Sequence, residues 1–422
     1  MIEQQISEWM ARDPDPETRQ ELESLQAAGD QQELMRRFGS RLSFGTAGLR
    51  GIVGAGPSRM NRLVVRETST GLGTYVKDTI AGAQERGIVV GYDGRTDSRC
   101  FAEAAASVFV ALGFRVYLGD RPLPTPVCAY AVRDLQAAAG IVVTASHNPP
   151  AYNGYKVYWQ NGAQIIEPHD AAIAAAIDRA SEAPLVGLDF NTPQAQSKID
   201  SLGDGMIERY LAAIRGLSVR PMTAARKSFS IAYTPLHGVG ANVAEEALRR
   251  AGFENIHTVV AQREPDGRFP TVNFPNPEEP GAMDAALALG RKVAADIVTA
   301  NDPDADRLAV ALPHPDGDFR MLTGDQVGIL LGAELMEAAD DRPNTAVATT
   351  IVSSSMLGVM AQAHGAQYRE TLTGFKWIAE AAEHVEAAGG RFVFGYEEAL
   401  GRAHCGQGKA RTKMVFRRYR LL

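Results

Sequence analysis

Cysteine is scarce: three in 422 residues, Cys100, Cys128 and Cys405, an odd number at scattered positions. A disulfide framework is thereby excluded, and reduced thiols fit a cytoplasmic protein. No Cys-x-x-Cys or His-x-x-x-His spacing suggests zinc. No apolar run approaches the roughly 18–20 residues needed to cross a bilayer, so no membrane partner is expected. The start, Met1-Ile2-Glu3-Gln4-Gln5, has no basic stretch followed by an apolar one and predicts no secretory signal. A Gly-x-Ser-x-Gly elbow is also missing, which makes an acyl-transfer hydrolase a poor fit.

Basic excess is lacking too, except in one place. Arg402–Leu422 carries seven basic residues and no acid, which leaves −14 for the rest of a chain whose net charge is −7. An acidic body gives no reason to expect a nucleic-acid partner.

What is there is alternation. The length predicts two to four domains with ample core. After forty-odd helical residues, with Ile6, Trp9 and Met10 on one face, strand and helix patterns alternate: strands at 87–92, 114–118 and 140–143, helices at 99–112 and 124–135. A second α/β run starts near Ser201 and a third near Leu322. Parallel strands joined by helices place their active loops on one edge of the sheet.

Five stretches interrupt that pattern with chemistry. The run Gly140–Val143 reads as a buried strand that stops in breakers: Asn148, Pro149, Pro150, Asn153 and Gly154. Ser146 and His147 therefore sit on a tight loop at a strand's carboxyl end, and Lys156 is near enough in sequence to return to it. A turn hydroxyl capping its own backbone is the plain reading of such a serine; a hydroxyl nucleophile with a proton acceptor and a cation is the other. Phe44–Gly51 holds three glycines in eight residues, with Thr46 and Arg50. It is either a glycine-rich turn or a phosphate approach. Asp302, Asp304 and Asp306 alternate before Arg307 on a loop between two strands. They form either an acidic turn or a site for a hard cation such as Mg²⁺, because alternating carboxylates repel unless a cation sits between them. Finally, Lys376 enters a helix where amides could meet an anion, and Glu397 and Glu398 follow a strand at 391–394, in a solvated loop or as acceptors for sugar hydroxyls.

Together these residues resemble the α-D-phosphohexomutases, the phosphoglucomutase and phosphomannomutase superfamily, and most of all its phosphoglucomutase-2-like branch. Thr144–Lys156 looks like that family's phosphoserine loop, Phe44–Gly51 its N-terminal signature, Asn301–Arg307 its metal loop and Gly395–Gly401 its sugar loop. The resemblance implies Ser146 as the phosphorylated residue and a metal ligand, with Arg50, His147 and Lys156 at the reacting centre. It implies Thr46, Arg307, Glu397 and Glu398 as substrate contacts, beside Lys376 from the helix start, and Asp302, Asp304 and Asp306 as Mg²⁺ ligands. The sugar loop's usual form is Glu-x-Ser, and Ala399 stands in the serine place.

The expected fold is α/β, with three related units on mixed, mainly parallel sheets: domain I over 1–200, domain II over 201–321 and an incomplete domain III over 322–401. The basic 402–422 tail resembles nothing in the family and shows no strand–helix alternation, and a fourth domain is expected to be missing, through a lost coding frame or truncation. The expected activity interconverts glucose 1-phosphate and glucose 6-phosphate through glucose 1,6-bisphosphate, impaired by that loss. Mannose or pentose phosphates are the alternative substrates, and an inactive Mg²⁺-binding fragment is the other reading. The partner is a small sugar phosphate, and the oligomeric state is left open.

Overall fold

The computed structural model describes residues 2–45 and 48–399, with the backbone of two further short strands, Arg402–Cys405 and Met414–Val415. The chain packs as two compact units: residues 1–123 with 131–203, and residues 124–130 with 204–422.

The first unit is built on a six-stranded sheet of β1 (Leu49–Ile52), β2 (Ile88–Tyr92), β3 (Val116–Gly119), β4 (Ala139–Val143), β5 (Tyr152–Trp159) and β6 (Ile199–Leu202). Its spatial order is β1-β5-β4-β2-β3-β6. Strands β2 and β4 are buried at every position, which is why they read as apolar runs rather than as alternations. The helices Arg62–Thr79 and Ser98–Ala111 help to form the core against them.

The second unit carries two sheets. One holds β7 (Ile231–Thr234), β8 (Ile256–Thr258), β9 (Ile297–Ala300), β10 (Ala309–Pro313) and β11 (Phe319–Met321), in the order β11-β10-β9-β7-β8. The other holds β12 (Thr345–Thr350), β13 (Gln367–Thr371), β14 (Arg391–Tyr396), β15 (Arg402–Cys405) and β16 (Met414–Val415), in the order β13-β12-β14-β15-β16. A single buried cluster, including Ile231, Phe253, Leu331, Leu357 and Phe394, spans both sheets.

The three sheets share one plan. A central strand (β2, β7, β12) pairs in parallel with the next strand in sequence and with a third (β4, β9, β14). That third strand then turns back into an antiparallel partner (β5, β10, β15). Parallel neighbours need a long crossover, but antiparallel ones can be joined directly. So each sheet has one direct connection at the carboxyl end of its third strand, and these three connections contain Ser146, the aspartates and the paired glutamates.

One expectation is corrected. Lys156 is on a strand rather than the loop, because β5 begins at Tyr152 and Lys156 pairs with Val142 of β4. Beyond β5, which ends at Trp159, the return makes a single bridge from Tyr158 to Gln164, and Pro168, without an N–H, leads into the helix His169–Glu182. Within the basic tail, Arg402–Cys405 pairs with β14, with Phe394 opposite His404.

Candidate active site

In the first unit, Ser146 is buried on the β4–β5 connection with a left-handed φ of 53°. A serine held there stores strain that its surroundings must offset. Its N–H donates to the Thr144 hydroxyl at 2.8 Å, and that hydroxyl donates to Asp93 Oδ2 at 2.7 Å. Asp93 Oδ1 in turn accepts from Ser98 Oγ at 2.6 Å. The Ser146 hydroxyl lies 3.3 Å from His147 Nδ1.

One side chain grips the whole connection. Arg95, buried just past β2, donates from Nη2 to the carbonyls of Ser146 (2.8 Å) and Asn148 (2.6 Å) and from Nη1 to those of Pro149 and Tyr152 (2.9 Å each). Its Nε lies 3.3 Å from Asp93 Oδ2. A planar fork with several fixed donors can do this; an ammonium cannot.

Arg50 lies on β1 opposite Gly154 of β5, and its Nη1 donates to Asn148 Oδ1 at 3.1 Å. Side chains two apart on a strand share a face, so Arg50 and Lys156 belong to the same side of this edge. Gly48 explains the glycine-rich stretch. Its φ is +101°, and a Cβ there would lie 1.9 Å from the Tyr155 carbonyl oxygen. Thr46 lies outside the described residues.

In the second unit, Asp302, Asp304 and Asp306 come together on the β9–β10 connection, each with a carboxylate oxygen within 4.8 Å of the others'. Asp302 and Asp304 are fully buried. Asp302 Oδ1 accepts the Arg307 backbone N–H at 2.8 Å, and the Arg307 guanidinium lies 4.0 Å from Oδ2 of the same carboxylate and 3.4 Å from Glu278. Asn301 ties the ends of the connection, donating to the Arg307 carbonyl and accepting from Tyr233 Oη. The donor set is oxygen only, buried and convergent, and it fits Mg²⁺.

The glutamate connection follows β14. Glu398 Oε2 accepts from Ser353 Oγ at 2.9 Å and Thr350 Oγ1 at 3.1 Å. Glu397 Oε1 accepts the Gly374 N–H at 2.8 Å, so that amide at the head of the Lys376 helix is already engaged. Lys376 is buried, with Nζ 5.0 Å from the centre of the Trp377 ring. Leu400 and Gly401 lie outside the described residues.

Several residues that hold these loops were not foreseen as part of the site. Arg95 and Asp93 follow β2, and Ser353 follows β12. After β7, the Val239 N–H donates to the Pro303 carbonyl at 2.9 Å, and Gly238 leaves no room for a Cβ, which would lie 2.4 Å from Pro303 Cα. In every sheet, then, the segment after the central strand braces the connection after its neighbour. The signal available in sequence was position alone: Asp93-Gly94-Arg95 ends a strand of the same parallel set.

This combination of three repeated sheets and three equipped connections defines a phosphosugar mutase, an intramolecular phosphotransferase. The chain matches the phosphoglucomutase/phosphomannomutase alpha/beta/alpha domains I, II and III over residues 41–184, 208–317 and 323–410, and it belongs to that family. The third match runs beyond Gly401, so the start of the basic tail still follows the family, contrary to expectation. Phosphopentomutase of Mus musculus is 38% identical over 425 residues, covering 96% of this chain and 67% of the relative. Phosphoribomutase of Saccharomyces cerevisiae is 40% identical over 418 residues, covering 94% and 67%. Glucose 1,6-bisphosphate synthase of Mus musculus is 36% identical over 410 residues, covering 94% and 66%. The crystal structure of a phosphoglucomutase/phosphomannomutase family protein from Burkholderia thailandensis shares the fold at a TM-score of 0.69 and 22% identity, covering 86% of this chain and 72% of that one. No helix among the described residues is long and apolar enough to cross a membrane.

Proposed function

We propose that the chain moves a phosphoryl group between the 1- and 5-positions of ribose phosphate through a phosphoserine at Ser146. The observation that carries the phosphoserine is the strained, clamped Ser146 with His147 Nδ1 at 3.3 Å. Phosphorylated Ser146 gives its phosphoryl to the free sugar hydroxyl: the Oγ–P bond breaks, an O–P bond to the sugar forms, and the hydroxyl proton passes to a base. His147 is the nearest candidate for that base. The resulting bisphosphate turns round and returns its other phosphoryl to Ser146, and the departing sugar oxygen takes up the proton. Arg50 and Lys156 supply positive charge for the phosphate oxygens. Asp302, Asp304 and Asp306 would hold Mg²⁺, which when bound would supply positive charge for phosphate oxygens.

The expectation from sequence was glucose. Two observations put pentose first: relatives at 38% and 40% identity are a phosphopentomutase and a phosphoribomutase, and Ala399 offers no hydroxyl to a sugar. Glucose 1-phosphate is the second reading, favoured by the glucose 1,6-bisphosphate synthase relative. Coupled assays with ribose, glucose and mannose 1-phosphates, Mg²⁺ and catalytic bisphosphate test this. Ribose 1-phosphate should give the highest kcat/KM, and a tenfold preference for either hexose would overturn the pentose assignment.

A further inference from the structure

We propose that Thr125 is a positioning residue for the aspartate loop, its hydroxyl setting the orientation in which Asp304 meets a divalent cation. This rests on the reading of Asp302, Asp304 and Asp306 as a Mg²⁺ site. Thr125 opens the helix Thr125–Asp134, and the stretch Pro124–Tyr130 packs with the second unit although the chain on either side of it belongs to the first. From there Thr125 holds Asp304 twice. Its Oγ1 donates to Asp304 Oδ2 at 2.7 Å, and its backbone N–H donates to the Asp304 carbonyl at 2.9 Å. Both residues are buried, so neither bond competes with bulk water.

The chemistry follows from carboxylate geometry. The terminal torsion of an aspartate is broad, so an unrestrained carboxylate samples many orientations. A hydroxyl bonded to one oxygen fixes the plane of the group, and with it the direction in which the carboxylate can coordinate. Asp302 is tied from within its own loop by the Arg307 N–H. Asp304, the middle of the three, is tied from a segment about 180 positions away in sequence, at a separation of 179. Partners of this kind behind a metal ligand are typically worth about 10- to 100-fold in metal affinity.

Thr125→Val keeps the branched shape and removes the donor, whereas Thr125→Ser keeps the donor. Titration calorimetry of the full chain with MgCl₂, and Mn²⁺ binding followed by electron paramagnetic resonance, read the affinity directly. The Val variant should bind about 10- to 100-fold more weakly, and the Ser variant within about threefold of the parent. Asp304→Asn is measured alongside. If Asp304→Asn leaves binding unchanged, the underlying metal reading fails. If Asp304→Asn weakens binding while Thr125→Val does not, the positioning role alone is overturned. A Ser variant as weak as Val would overturn it too, because packing rather than the hydroxyl would then govern affinity. Thermal melts in EDTA separate loss of fold from loss of metal, and Thr125→Ala replaces Val under the same criterion should Val not fold.

Discussion

The Ser146 loop and the aspartate loop occupy equivalent places in two sheets of the same plan, but they are held by opposite means. The serine loop turns its carbonyls inward onto one buried guanidinium, and four of them share Arg95. The aspartate loop is tied by backbone amides, an asparagine and a hydroxyl, with the Arg307 guanidinium no nearer than 4.0 Å to Asp302. A buried guanidinium, itself paired with Asp93, satisfies the carbonyls of a strained connection. Around the aspartates, the Arg307 N–H and the Thr125 hydroxyl orient two of the carboxylates. One connection, repeated, is thus braced by a buried guanidinium in one sheet and by amide and hydroxyl donors in another.

Removing the clamp should break this contrast most severely. Arg95→Met leaves four carbonyls and Asp93 without their buried cation, and should cost about 3–5 kcal/mol in urea unfolding. A loss below about 1 kcal/mol would mean the loop holds itself. Gly48→Ala comes next: the added methyl meets the Tyr155 carbonyl, and the positive φ is unfavourable, so a loss of about 2–3 kcal/mol is expected from the same measurement. Asp304→Asn should leave the fold intact and weaken Mg²⁺ at least tenfold, about 1.4 kcal/mol, by calorimetry. Glu398→Gln is the mildest. It keeps an acceptor for Ser353 and Thr350 and should cost about 1 kcal/mol or less in stability, with a rise in sugar-phosphate KM as its main effect.

How legible each loop was follows from where its ties come from. The fully buried strands β2 and β4 read as apolar runs, and the aspartate series announces itself by alternation within six residues. Local pattern was enough for both. Lys156 was misplaced because Asn153 and Gly154, which read as breakers, are strand residues: Asn153 donates to Ser98 Oγ and Gly154 pairs with Arg50. The helix Arg62–Thr79 went unread; Gly71, Gly73 and its β-branched residues lower its intrinsic propensity, and tertiary packing overrides that. Arg95 and Thr125 were invisible as site residues for a different reason. Their partners lie 51–57 and 179 positions away, and only the shared edge of a sheet or a packed crossover brings them together.

The proposed phosphoryl transfer depends most directly on Ser146. The full chain, incubated with glucose 1,6-bisphosphate and Mg²⁺, then digested and sequenced by tandem mass spectrometry, reports where phosphate resides. The prediction is phosphate on Ser146, with none on the Ser146→Ala variant. Phosphate found reproducibly on another residue, and retained in Ser146→Ala, would contradict it.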